Sequence, residues 1–183
     1  MGVPRAIGHG LFATAIGECG IAWTENAIAA VQLPEADVEG TRRRLLRYTG
    51  ELPELPPPEF VASAIARVQA LLEGAKDDLR DLPLDLQGVP PFHQKVYEIT
   101  RAIPPGEVLT YGEVARRVGE PGAARAVGQA LGKNPFAPVV PCHRVLAAGG
   151  KSGGFSAEGG ADTKLRMLEI EGARFGDQPG LFP

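Results

Sequence analysis

Apolar positions along the chain fall into short runs, stripes at helical spacing and one alternating segment, and each pattern predicts a different element. In the first third, residues 11–16, 20–24 and 28–33 are short apolar or β-branched runs. Gly17-Glu18-Cys19 and Glu25-Asn26-Ala27 separate them at hairpin-like lengths, which predicts three strands. A helix is predicted over 35–48, ended by Gly50; its cluster of Arg42, Arg43, Arg44 and Arg47 reads as a solvated face before a binding patch. Residues 52–58 are proline-rich and must be a loop or extended link. Val61, Ile65, Val68 and Leu72 then mark one face of a helix stopping near Gly74, and Leu82, Leu84 and Leu86 alternate like a half-buried strand.

Gly88-Val89-Pro90-Pro91 is the best boundary, dividing the chain into domains 1–90 and 91–183. Beyond it Phe92, Val96, Ile99 and Ile103 share a helical face, which Pro104-Pro105-Gly106 breaks. Thr110-Tyr111-Gly112-Glu113 fits a capping box opening a short helix that Gly119 ends. A tight Glu120-Pro121-Gly122 connection leads to a second helix from Ala123 to about Lys133, and two short helices so joined predict a helix-turn-helix. An apolar, strand-like segment follows Asn134-Pro135. There is no internal repeat.

Composition narrows the class. A 44% hydrophobic share in 183 residues suits a globular protein with a core. No stretch approaches the roughly 20 apolar residues of a membrane span, and residues 1–10 do not read as a secretory signal. Two cysteines, Cys19 and Cys142, form no disulfide framework and suit a reducing cytoplasm. Net charge is −3, but residues 1–91 carry −5 and residues 92–183 carry +2, so a polyanion would meet the second half.

Two features carry candidate chemistry. The second helix of the pair, Ala123-Ala124-Arg125-Ala126-Val127-Gly128, is built of small residues around one cation. Close packing against a neighbouring helix explains this first; entry into a minor groove only about 6 Å wide is the alternative. Further on, Pro141-Cys142-His143-Arg144-Val145 sets a thiol beside an imidazole, and cysteine attacks as the thiolate that a base or cation favours. A bare Cys-His pair is also compatible with an inert core cysteine. His9, Cys19 and His93 lack finger spacing to Cys142, so no metal is expected.

With those residues in place, the stretch from Phe92 to Gly176 resembles the catalytic domain of the O6-alkylguanine-DNA alkyltransferases (methylated-DNA–protein-cysteine methyltransferases). The resemblance rests on Gly106-Glu107-Val108 with Tyr111, Ala124-Arg125-Ala126-Val127-Gly128, Asn134-Pro135, Pro141-Cys142-His143-Arg144-Val145 and Glu171-Gly172, in the family's order and near its spacing. The N-terminal part resembles the family's α/β ribonuclease-H-like domain more loosely, and a mainly helical domain with a helix-turn-helix follows it.

The resemblance implies repair of alkylated double-stranded DNA without a cofactor, by a protein expected to be monomeric. Cys142 would accept an alkyl group from O6-alkylguanine, with O4-alkylthymine as a further candidate. His143 would be its base through a water, oriented by Glu171; Tyr111 would donate to the departing guanine, and Ser156 to its oxygen. The carbonyls of Cys142 and Val145 would accept from the exocyclic amine, Asn134 would act as a hinge, and Phe155 would wall the pocket where the family often has Tyr. The resemblance reverses the packing preference for the small-residue helix. Ala123, Ala124, Ala126 and Gly128 would enter the minor groove, and Arg125 would fill the gap left by a flipped nucleotide. Two rivals are a non-catalytic alkyltransferase-like lesion binder, a kind that lacks the acceptor cysteine, and a helix-turn-helix regulator, which would need several base-reading side chains.

Overall fold

The computed structural model describes residues 6–148 and 161–173. Strands β1 (Gly8–Thr14), β2 (Gly17–Trp23) and β3 (Ile28–Gln32) form an antiparallel meander in the order β1-β2-β3. Thr14 pairs with Gly17, so the first turn is Ala15-Ile16, and residues 17–19 belong to β2 rather than to the connection. Thr14 makes this tight turn possible: its hydroxyl donates to the Gly17 carbonyl at 2.6 Å and accepts the Ile16 N–H at 3.2 Å, while Gly17 takes a φ of 126°. The consequence is that Cys19 lies inside the sheet, fully buried.

Helix α1 (Val38–Thr49) starts later than its pattern suggested, because the Asp37 carboxylate accepts the Gly40 N–H and caps it there. Helix α2 (Glu59–Leu71) buries Val61, Ala64, Val68 and Leu71 against Phe12, Ile21, Trp23 and Val31. The alternating leucines after it do not make a strand. Only Leu84 bridges Ile28, through Ile28 N–H to the Pro83 carbonyl and Asp85 N–H to the Ile28 carbonyl, both 2.8 Å. Pro83 has no N–H to extend the ladder.

The second half opens with α3 (Pro91–Arg101), then β4 (Leu109–Thr110), α4 (Tyr111–Val118), α5 (Ala124–Gly132), a 3-10 turn (Cys142–Arg144), β5 (Val145–Leu146) and α6 (Ala161–Ile170). Thr110 and Glu113 form the expected reciprocal capping box, and Gly119 ends α4 in the left-handed region. The apolar segment at 136–140 is not a strand. Phe136, Val139 and Val140 are buried in successive turns, which Asn134 braces by accepting the Phe136 N–H and donating to the Val140 carbonyl. A second core gathers Val96, Tyr97, Val114, Val127, Leu131, Phe136 and Val145, whereas Val139 and Met167 pack into the first. Among the described residues no helix is long and apolar enough to cross a membrane.

The short parallel pair β4–β5, which the sequence did not suggest, joins Leu109 to Val145 and Thr110 to Leu146. It fixes the start of α4, and hence Tyr111, beside the turn that carries Cys142. Thr110→Ala removes one half of the capping box and should lower the unfolding free energy by about 1 kcal/mol in urea titrations. An unchanged midpoint would show that the box contributes nothing to α4.

Candidate active site

Cys142 opens the 3-10 turn, and its neighbours diverge from there. Cys142 is 8% exposed, while His143 and Arg144 point inward at 1% each. A three-residue turn after Pro141 rotates successive side chains by about a third of a circle, so adjacent residues serve different partners. The Cys142 carbonyl accepts the Val145 N–H.

Glu171 stands one residue past the end of α6, 3% exposed. Its Oε2 accepts from His143 Nε2 at 2.8 Å and from Arg144 Nη2 at 2.7 Å, and its Oε1 accepts from Arg144 Nε at 2.9 Å. Arg144 Nη1 donates to the Ile103 carbonyl at 2.7 Å. Burial alone would raise the Glu171 carboxyl, but the bonds from His143 and Arg144 outweigh it and hold it at about 2. An ionised carboxylate only accepts, so His143 carries its proton on Nε2. Its Nδ1 is buried, without a hydrogen-bond partner among the described residues, and carries the free lone pair. Burial also pushes the imidazole down, against the opposing pull of Glu171, so the ring is neutral at physiological pH.

The thiol sits among groups of opposing effect. Burial pushes the Cys142 thiol up, and Asn134, the charge of Lys164 and backbone N–H groups only partly offset it. Lys164, on α6, is 1% exposed, and its Nζ lies 5.7 Å from the centre of the Tyr111 ring. Desolvation lowers it to about 8, with Cys142 opposing. Tyr111 is half-buried, and burial followed by the nearby Cys142 raises its phenol, which stays a donor at neutral pH. The turn, the start of α4, Asn134 and α6 thus bring Cys142, His143, Glu171, Tyr111 and Asn134 into one cluster.

The small-residue helix shows both of its proposed characters. Val127, Ala130 and Leu131 face the second core, and Ala123 packs partly against it. Arg125, Gly128, Gln129 and Gly132 share the opposite face. Arg125 is exposed, and a Cβ added at Gly128 or Gly132 would meet nothing within 4 Å. Ala124 and Ala126 flank that face, half-buried. Phe155 and Ser156 lie outside the described residues. Sequence reasoning missed Lys164, which has no motif around it, and the bonds of Arg144, which were hidden because its partners are 27 and 41 positions away.

The second half thus combines a buried thiol, an imidazole–carboxylate pair and a helix face with one exposed cation. Comparison with known proteins narrows this. Residues 91–173 match the family model "6-O-methylguanine DNA methyltransferase, DNA binding domain". The methylated-DNA–protein-cysteine methyltransferase of Mycobacterium bovis is 42% identical over 137 residues, 73% of this chain and 81% of its own length. That of Methanothermobacter thermautotrophicus is 33% identical over 155 residues, 85% and 80%. The crystal structure of Mycobacterium tuberculosis OGT in complex with DNA superposes with a TM-score of 0.73 at 33% identity, covering 91% of this chain and 93% of that one. The chain belongs to the methylated-DNA–protein-cysteine methyltransferase family.

Because Glu171 is held at about 2 against an ordinary 4.5, it adds stability that is present above pH 4.5 and lost as the pH falls toward 2. That contribution is about 3 kcal/mol. Glu171→Gln, which leaves Arg144 buried without its anion, should destabilise the neutral protein by about 3 kcal/mol and flatten this acid dependence. Equal stability of the two proteins from pH 7 to pH 3 would contradict the ion pair.

Proposed function

We propose that this protein repairs double-stranded DNA by transferring the alkyl group of O6-alkylguanine to Sγ of its own Cys142, once per molecule. The observation that carries the reading is the imidazole of His143. It is locked to Glu171 through Nε2, which leaves Nδ1 as a base on the residue next to the thiol. The thiol proton passes through a water molecule to Nδ1, and the imidazolium is stabilised by Glu171. The S–C bond forms as the C–O6 bond breaks, and the bonding pair leaves on guanine. Tyr111, kept protonated by its surroundings, donates to the departing base, and the proton held by His143 finally resides on the guanine. The thioether is stable, so the thiol is not regenerated.

The alkyl carbon must come to a buried sulfur, so the nucleotide leaves the helical stack at a cost of a few kcal/mol. We assign α5 to the minor groove. Its open face of Arg125, Gly128, Gln129 and Gly132 fits a narrow space, and Arg125 fills the gap in the duplex. In this reading α4 and α5 are a helix-turn-helix, Asn134 hinges α5 to the cysteine turn, and the carbonyls of Cys142 and Val145 read the exocyclic amine. Ser156 and Phe155 complete the guanine pocket, and O4-alkylthymine is a further substrate. The division into domains 1–90 and 91–183 is supported by α3 and the family model both beginning at 91. We take the first domain, a meander followed by helices, as ribonuclease-H-like. A monomer in the cytoplasm suits two unpaired cysteines.

The test is to incubate the protein with a duplex carrying O6-methylguanine and weigh the peptide containing Cys142. One added methyl is expected, with none in Cys142→Ala, which should still bind the duplex. Unchanged mass with tight lesion binding would refute transfer. Lys164→Met, which removes a cation favouring the thiolate, should slow transfer by about tenfold, equivalent to about 1.4 kcal/mol. Arg125→Ala should slow repair of duplex more than reaction with free O6-alkylguanine, and equal slowing of both would remove Arg125 from the flipping step.

A further inference from the structure

Glu171 must be held by something other than the two side chains it serves. Helix α6 ends in a Gly172 turn with a φ of 70°, where Gly172 N–H donates to the Glu169 carbonyl and Ala173 N–H to the Leu168 carbonyl. This closing motif satisfies two of the terminal carbonyls and leaves that of Glu171 outside it. Lys76, an exposed residue just past α2, donates its ammonium to that carbonyl. Gly106 closes the other side. A Cβ there would lie 3.3 Å from the Glu171 carbonyl oxygen and 3.5 Å from Lys76 Nζ, at a φ of 94°. The first half grips the same helix elsewhere: Met167 is buried in its core, and Arg166 donates to the Ala15 carbonyl at 2.9 Å.

We infer that Lys76 and Gly106 are positioning residues for the transfer reaction, a seat that fixes the backbone of Glu171 and so aims its carboxylate at His143. This deepens the proposed function and rests on it. It gives the N-terminal half a task in the chemistry of Cys142, carried through the backbone of Glu171. It also gives Gly106 of the Gly106-Glu107-Val108 motif a second reason, beside its φ of 94°, to lack a side chain: a Cβ would crowd the Glu171 carbonyl by a few tenths of an ångström. A cation at the C-terminal end of α6 further suits the helix dipole.

The experiment compares wild type with Lys76→Met and Lys76→Arg in two assays. One is the single-turnover rate on an O6-methylguanine duplex. The other is the rate at which iodoacetamide labels Cys142 with no DNA present. Lys76→Met should lower both rates about fivefold, the worth of one hydrogen bond, with duplex affinity unchanged and the melting temperature lower by no more than about 4 °C; Lys76→Arg should restore most of the loss. Equal rates for Lys76→Met and wild type in the labelling assay would overturn the inference, as would a loss that arginine does not restore. If wild type fails to take up methyl, the transfer reading falls, and the labelling assay still decides the role of Lys76. Gly106→Ala should reproduce the Lys76→Met loss of labelling, and full labelling speed in that variant would also overturn the inference.

Discussion

One buried carboxylate holds the site in its working form. A carboxylate as enclosed as that of Glu171 would ordinarily take up a proton. It stays ionised because Arg144 meets it with two nitrogens, and that charge decides which nitrogen of His143 bears the proton. With Nε2 committed, Nδ1 is the nitrogen left to serve as the base in the proposed reaction. In that reading Arg144 is a positioning residue, acting through Glu171. Its remaining bond to Ile103 fastens the same cluster to the end of α3. Taking away the arginine would leave the buried acid with the His143 N–H as its one remaining side-chain donor among the described residues, and so weaken its hold on the imidazole tautomer.

The cluster is also arranged so that no member is reactive too early. Burial works against the charged form of the thiol, the imidazole and the phenol alike; Asn134 and Lys164 only partly offset it at the thiol, and Glu171 only partly at the imidazole. The result is a thiol, an imidazole and a phenol that all rest in their neutral forms in the free protein. A protected thiol suits a protein that reacts once, since a permanently exposed thiolate would be lost to other electrophiles.

How much of this was legible in the sequence depended on how local each cause was. The capping box of Thr110 and Glu113, the Gly50 and Gly119 helix ends and the stripe of α2 were readable because partners lie within one or two turns. The alternating leucines at 82–86 and the apolar run at 136–140 misled, since alternation signals burial and says nothing about whether a ladder partner exists; Pro83 and the Asn134 bracing decided otherwise. Cys142, His143, Glu171, Tyr111 and Asn134 were named through resemblance, and proximity in the fold is what the sequence could not supply. Lys164 was invisible because an isolated lysine on a helix reads as a solvated charge, and only the packing of α6 against the start of α4 buries it.

The tautomer of His143 tests the account at its root. With only three histidines in the chain, its ring nitrogens can be assigned by 15N NMR on the free protein at neutral pH. The expected spectrum has a protonated Nε2 and a bare, imine-type Nδ1. A proton found on Nδ1, or on both nitrogens, would mean that the ring cannot accept the thiol proton, and the account would fail.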